Sequence, residues 1–156
     1  MIRVRASLEM PASAERAWAL LTDWESHSRW IPATVVRVLS GDGGLGTRFV
    51  GRSSLGGVLR GLDRVGFDDP MTVTVFDPPH DGHAGRCEIV KTGSVVLGTA
   101  GFTVAPTGPG SCTATWWEDV EVAPARLTRW ADPLAARVAT YGFDLVLRAA
   151  RDELAL

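Results

Sequence analysis

The sequence predicts an α+β fold: an antiparallel sheet of about six to seven strands, curved around one long C-terminal helix, with two short helices after the first strand. Three observations predict it. Residues 2–10 alternate between apolar and polar. Residues 33–122 are a succession of β-rich runs separated by Gly, Pro and Asp turns. Residues 127–154 form the longest helical run in the chain. A single long helix after many strands needs a sheet to lie on, and consecutive strands with short connections make an antiparallel meander.

In the first strand Ile2, Val4, Ala6, Leu8 and Met10 share one face and Arg3, Arg5, Ser7 and Glu9 the other. Period two with one apolar face is a half-buried strand. Pro11 ends it, and Ser13 caps a helix whose Ala14, Ala17, Trp18, Leu21 and Trp24 fall on one side. Residues 23–31 (DWESHSRWI) read as a second short helix, closed by Pro32 because the residue before proline is pushed out of the α region. Thr34–Leu39 and Thr47–Ser53 are strands around the glycine-dense turn GDGGLG, and residues 55–61 are a loose stretch. Leu62–Phe67 and Met71–Phe76 are strand-like and interrupted by Asp68-Asp69-Pro70, a bulge or an edge. Residues 77–82 (DPPHDG) form a loop. Arg86–Lys91 and Ser94–Ala105 make a hairpin around Thr92-Gly93, residues 106–110 (PTGPG) are a turn, and Cys112–Val122 is the last strand. The closing helix carries Leu127, Ala131, Leu134, Val138, Tyr141 or Gly142, Leu145 and Ala149 at the spacing of one buried face.

The 156 residues fit one domain, 1–156, with no repeats and no linker that divides it. Net charge is −2 with both signs scattered, so no basic stripe for nucleic acid is expected. No apolar run approaches the ~18 residues of a membrane helix, and MIRVRASLEM interleaves charges with apolar residues, unlike a signal peptide. A cytoplasmic protein, monomer or homodimer, is expected. Cys87 and Cys112 lack metal or redox spacing, so two free, buried thiols are expected.

Along almost the whole chain, the order of these features resembles the START-like, Bet v 1-like helix-grip superfamily, and within it the polyketide cyclase/dehydrase group. The residues that carry the resemblance are the first strand followed by residues 11–32, then GLGTRF (44–49), FDDPMTVTVFDPP (67–79), KTGSVVLGTAGFTV (91–104) and TWWEDVEV (115–122) before the long helix. The resemblance implies an apolar ligand held between a strongly curved sheet and the C-terminal helix. Some members bind lipids, hormones or quinones, and a few catalyse polyketide cyclisation or dehydration.

Alternation alone sketches the cavity. Val96, Gly98, Ala100, Phe102 and Val104 share a face, and small residues in mid-strand leave volume opposite them. The alternative is that Gly98 and Ala100 serve strand curvature or close helix contact. Glu118 shares its face with Cys112, Ala114, Trp116 and Val120 and so points inward. A buried carboxylate there is either a ligand-binding or acid/base group with a raised pKa, or one half of a salt bridge. Tyr141, the only tyrosine, sits on the expected inner face of the helix, where its hydroxyl either orients a ligand or makes a structural hydrogen bond.

The expected ligand-binding wall is Trp30, Phe49, Met71, Ile89, Gly98, Phe102, Trp116, Trp130, Leu134, Val138 and Tyr141, with Glu118 and Tyr141 as candidate catalytic groups. His80 and His83 flank Asp81-Gly82 but lack further protein ligands, so no metal and no cofactor is expected. His27 could cover a pocket mouth, and Asp68-Asp69 shapes a turn. GDGGLG lacks nucleotide-binding spacing, and there is no GxSxG elbow. Three functions follow: binding of a polyketide, lipid or isoprenoid-like molecule; a polyketide cyclase that folds its substrate; or an interaction module without a ligand.

Overall fold

The computed structural model describes residues 1–54, 66–122 and 132–156, with the side chains at 132, 134, 135 and 138 left out. Strand β1 (Ile2–Met10) leads into helix α1 (Ala14–Leu21), a 3-10 turn (Trp24–Ser26) and the one-turn helix α2 (His27–Trp30). Six strands follow: β2 (Thr34–Ser40), β3 (Arg48–Ser54), β4 (Gly66–Asp77), β5 (Gly85–Thr92), β6 (Val96–Gly108) and β7 (Ser111–Val122). The chain ends in α3 (Asp132–Leu154). All seven strands form one antiparallel sheet in the order β1-β7-β6-β5-β4-β3-β2. The meander therefore runs unbroken from β2 to β7, and β1 closes it by pairing with β7.

Local chemistry sets the boundaries. Ser13 Oγ accepts the Arg16 backbone N–H at 3.2 Å and caps α1. Its Ala14, Ala17, Trp18 and Leu21 are buried, the face expected from spacing. In β1 and β7 alternate residues are buried, Cys112, Ala114, Trp116, Glu118 and Val120 among them. The main core gathers Met10, Trp18, Leu21, Trp24, Phe49, Ile89, Phe102 and Trp116 with the end of α3. A smaller cluster of Ile2, Val4 and Val120 lies towards the other end of β1.

Two boundaries differ from the sequence reading. The Asp68-Asp69-Pro70 break is absent: β4 runs straight through it, pairing Asp68, Asp69 and Pro70 with Arg52, Gly51 and Val50 of β3. On the other side the ladder to β5 starts only at Met71↔Lys91. Pro70 thus has a partner strand on one side, where a missing N–H is tolerated. Likewise β6 continues through Pro106 to Gly108 with a register shift, leaving Pro109-Gly110 as the turn.

The third difference is the rotation of α3. Val146, Leu147, Ala150 and Leu154 are buried, and Phe143 packs against both core clusters. Leu145 and Tyr141 are exposed. The expected face was one residue out of phase, about 100° on a helix. Apolar residues at 145, 146 and 147 fit either rotation, and the larger ring of Phe143, stacked on Trp116 at 5.9 Å, decides it. The expected contacts of Leu127, Ala131, Leu134 and Val138 lie outside the described residues and side chains.

The edge of β2 is not left open. Its Val36 N–H donates to Ser28 Oγ at 2.8 Å and its Val38 N–H to Glu25 Oε1 at 3.2 Å. At the far end of the chain, Arg29 and the Trp30 indole both donate to Glu153, which ties α2 to the last turn of α3.

Candidate functional site: a charged cluster in an apolar cavity

A cavity of about 450 Å³ lies between the inner face of the sheet, α2 and α3. Such a volume is in the range of small-molecule sites, about 300–1,000 Å³. Its walls are mostly apolar: Ile2 and Val4 of β1, Val36 of β2, Phe49 of β3, Met71 of β4, Ile89 of β5, Ala100 of β6, Trp116 and Val120 of β7, and Phe143 and Val146 of α3. Into this surface the sheet projects one cluster of charge. Lys91 Nζ lies 2.8 Å from Asp69 Oδ2 and 3.1 Å from Glu118 Oε1. All three residues are buried.

The register explains how three distant strands meet there. Lys91 on β5 pairs with Gly98 on β6, and Ala100 on β6 pairs with Glu118 on β7. Lys91 and Glu118 are thus two strands apart, roughly 9–10 Å between backbones. Their side chains can bridge that gap because β6 presents only the small Ala100 to the cavity between them. On the other side Lys91 pairs with Met71, two residues along β4 from Asp69.

Two carboxylates share one ammonium, and burial decides where protons sit. Burial pushes the Glu118 carboxyl above the usual carboxylate range, Asp69 adds to this, and the pull of Lys91 does not cancel it. Burial works the other way on Lys91, but Glu118 and Asp69 together outweigh it and hold the ammonium above its ordinary value. The lysine is therefore charged and is no amine nucleophile. Asp69 Oδ1 and Trp116 Nε1 are both buried without a well-formed hydrogen bond.

His27 of α2 is the other titratable group in the wall. Trp24, Trp30 and Trp116 surround its ring at centroid distances of 5.7, 5.1 and 5.5 Å. Its Nε2 lies 2.8 Å from the Leu21 carbonyl. A carbonyl only accepts, so Nε2 carries the proton and Nδ1 the lone pair. Burial lowers its pKa to about 4, although the Leu21 bond and Asp23 oppose this. The folded chain excludes a proton that the unfolded chain binds below about pH 6.5. Stability from this group is present above that pH and is lost as pH falls towards 4, about 3 kcal/mol in all. Urea denaturation between these limits checks it: His27→Gln flattens the slope relative to wild type.

Phe49, Met71, Ile89 and Trp116 line the cavity, and Glu118 lies in its charged cluster. Trp30 is buried but turned to Glu153, 2.8 Å from its indole N–H. Phe102 sits in the core instead, with Trp18 at 5.4 Å and Trp116 at 5.5 Å. Gly98 is not in the wall. It has φ +142°, and a Cβ there would overlap the Asp119 carbonyl and stand 2.9 Å from Val120 Cα. Its smallness serves the close approach of β6 to β7.

Tyr141 points away from the cavity: 65% exposed, it borders a surface groove with Arg5, Arg137 and Asp144. The rotation of α3 that buries Phe143 puts it there. Trp130 lies outside the described residues, as do the side chains of Leu134 and Val138.

Sequence reasoning missed several apolar wall residues, Ile2, Val4, Val36, Val120, Phe143 and Val146 among them, and missed or placed otherwise Lys91, Asp69, Trp24 and His27. Lys91 continues the buried alternation Cys87, Ile89, Lys91, and Asp69 continues Met71, Val73. Reading β4 through its proline would have turned Asp69 inward. Asp68, its neighbour, faces out and pairs with Arg52 at 3.0 Å. His80 and His83 stack at 5.5 Å on the exposed β4–β5 loop, and no cluster of three metal-ligating side chains occurs among the described residues.

A family profile described as polyketide cyclase / dehydrase and lipid transport matches residues 1–155. The chain belongs to this family. Solved structures place the family fold on it over nearly its full length. A START superfamily protein from Mycobacterium smegmatis is 19% identical, with a TM-score of 0.71, covering 97% of this chain and 98% of that one. The Zhui aromatase/cyclase from Streptomyces sp. R1128 is 14% identical, with a TM-score of 0.72, covering 97% and 92%. Norcoclaurine synthase from Thalictrum flavum, solved with dopamine and hydroxybenzaldehyde, is 18% identical, with a TM-score of 0.55, covering 94% and 85%. A search of curated proteins gives no match. Membership of the polyketide cyclase / dehydrase and lipid transport family suggests hydrophobic ligand binding or a cyclase role. No described helix is long and apolar enough to cross a membrane.

Proposed function

We propose that the protein binds a hydrophobic small molecule, of polyketide, lipid or isoprenoid-like character, in the cavity between the sheet and α3. The observation that carries this reading is the cavity of about 450 Å³ with apolar walls and a single charged cluster. Packed interiors hold few voids larger than a water molecule, so a space of this size argues against a ligand-free interaction module.

Native mass spectrometry of freshly purified protein is the direct test, with a co-purified apolar molecule as the expected result. Ala100, buried in the floor of the cavity, is the position to fill. Ala100→Leu is expected to lose the bound molecule, with an overpacking cost of about 1–3 kcal/mol. Retention of the ligand by a folded Ala100→Leu protein would contradict the cavity placement.

A catalytic reading is favoured by one observation, the buried Glu118 beside Lys91. A carboxyl that keeps its proton in an apolar site can donate it to a substrate oxygen while the walls hold the chain in a reactive conformer. In such a cyclase Glu118 acts without Tyr141, which faces solvent. Unchanged turnover of a polyketide substrate by Glu118→Gln would sink this role.

A further inference from the structure

We infer that the cavity takes an apolar molecule bearing a protonated amine, seated against Glu118 and Asp69. This rests on the small-molecule reading above and adds the charge that the ligand carries. The ground is a count of hydrogen-bonding groups among the described lining residues. Lys91 is the only ammonium or guanidinium there, and its contacts go to Asp69 Oδ2 and Glu118 Oε1. The hydroxyls of Thr34 and Ser53 are bonded to each other at 2.9 Å. His27 donates to Leu21, which leaves Nδ1 as an acceptor. Asp69, 9% exposed, keeps Oδ1 without a partner. The remaining donors are the third N–H of Lys91 and the Trp116 indole, which has no well-formed hydrogen bond but acts on Glu118.

Two carboxylates therefore face one cation, and Asp69 Oδ1 has no donor. A buried unmatched acceptor or charge is costly. The protein's own groups can reduce that cost by holding a proton on Glu118. A ligand ammonium does more, because it brings a full positive charge and up to three N–H donors to the same place. A ligand hydroxyl supplies one donor and no charge, and a ligand carboxylate adds a second unmatched negative charge.

Three probes that share one ring system separate these cases: naphthylethylamine, naphthylethanol and naphthylacetate, titrated calorimetrically into the full chain at neutral pH. The amine is expected to bind at least about tenfold tighter than the alcohol, with the acetate weakest. In Glu118→Gln and, as a second variant, Asp69→Asn, the preference for amine over alcohol is expected to shrink to less than about threefold. Equal binding of alcohol and amine, tightest binding of the acetate, or an amine preference untouched in both variants would overturn the charge assignment and leave the apolar cavity standing. Absence of binding by all three probes overturns the inference alone if native mass spectrometry still finds a co-purified apolar molecule. It overturns both readings if none is found.

Discussion

Lys91→Met is expected to cost about 3–5 kcal/mol of stability at neutral pH, because it leaves two buried carboxylates without their cation. The size of the loss depends on pH in a direction that the structure fixes. Glu118 already has a raised pKa in the folded chain. A carboxyl with a folded pKa above its unfolded value keeps its proton in the folded state after the unfolded chain has lost it. Stability from such a group therefore falls as pH rises through that window. Removing Lys91 removes the main influence that opposes this rise. The variant is expected to regain stability as the pH is lowered towards the carboxylate range, while His27 works in the opposite sense in both proteins. Urea titrations of wild type, Lys91→Met and Lys91→Met/Glu118→Gln at neutral and mildly acidic pH separate the contributions. The double variant, with one unpaired carboxylate fewer, is expected to be more stable than the single one at neutral pH. A Lys91→Met protein as stable as wild type at neutral pH would mean that the three side chains do not form a coupled cluster.

Gly98→Leu is expected to be nearly as damaging, for a reason of backbone geometry. The positive φ of Gly98 and the overlap of a Cβ with the Asp119 carbonyl act together. Backbone strain and overpacking contribute about 1–3 kcal/mol each. Ala100→Leu, two residues along the same strand, lacks the backbone term and is expected to stay folded while losing cavity volume. Comparing the denaturation midpoints of the two variants distinguishes a filled cavity from a broken ladder. A Gly98→Leu protein with wild-type stability would show that β6 and β7 do not approach as closely as described.

Much of the architecture was readable because the sheet obeys simple alternation. The inward residues of β1 and β7 follow from period two, and with them the burial of Glu118. The helix phase was not readable, since residues 145–147 are all apolar and only packing against Trp116 selects one rotation. Nor was the charged cluster. Lys91 ends a strand and Asp69 precedes a proline, positions where sequence alone points to solvent and a turn. What brings them together is register: a lysine on β5 reaches β7 only because β6 offers the small Ala100 in between. Such a relation among four strands leaves no local mark. It also corrects the meaning of the small residues, which make room for an ion pair at Ala100 and for a neighbouring backbone at Gly98.

The hydrogen bonds from Ser28 and Glu25 to β2 have a bearing on solubility. An outermost strand with Val35 and Leu39 exposed is a template on which another chain could lay a β-strand and begin a fibril. Here two of its donors are already taken by side chains of the preceding helical turn, which stands in for the missing neighbour strand. Growth of a cross-β stack from this side must first detach that turn, and with it the aromatic shell of His27. Protection against aggregation and integrity of the cavity wall are thus vested in the same few residues.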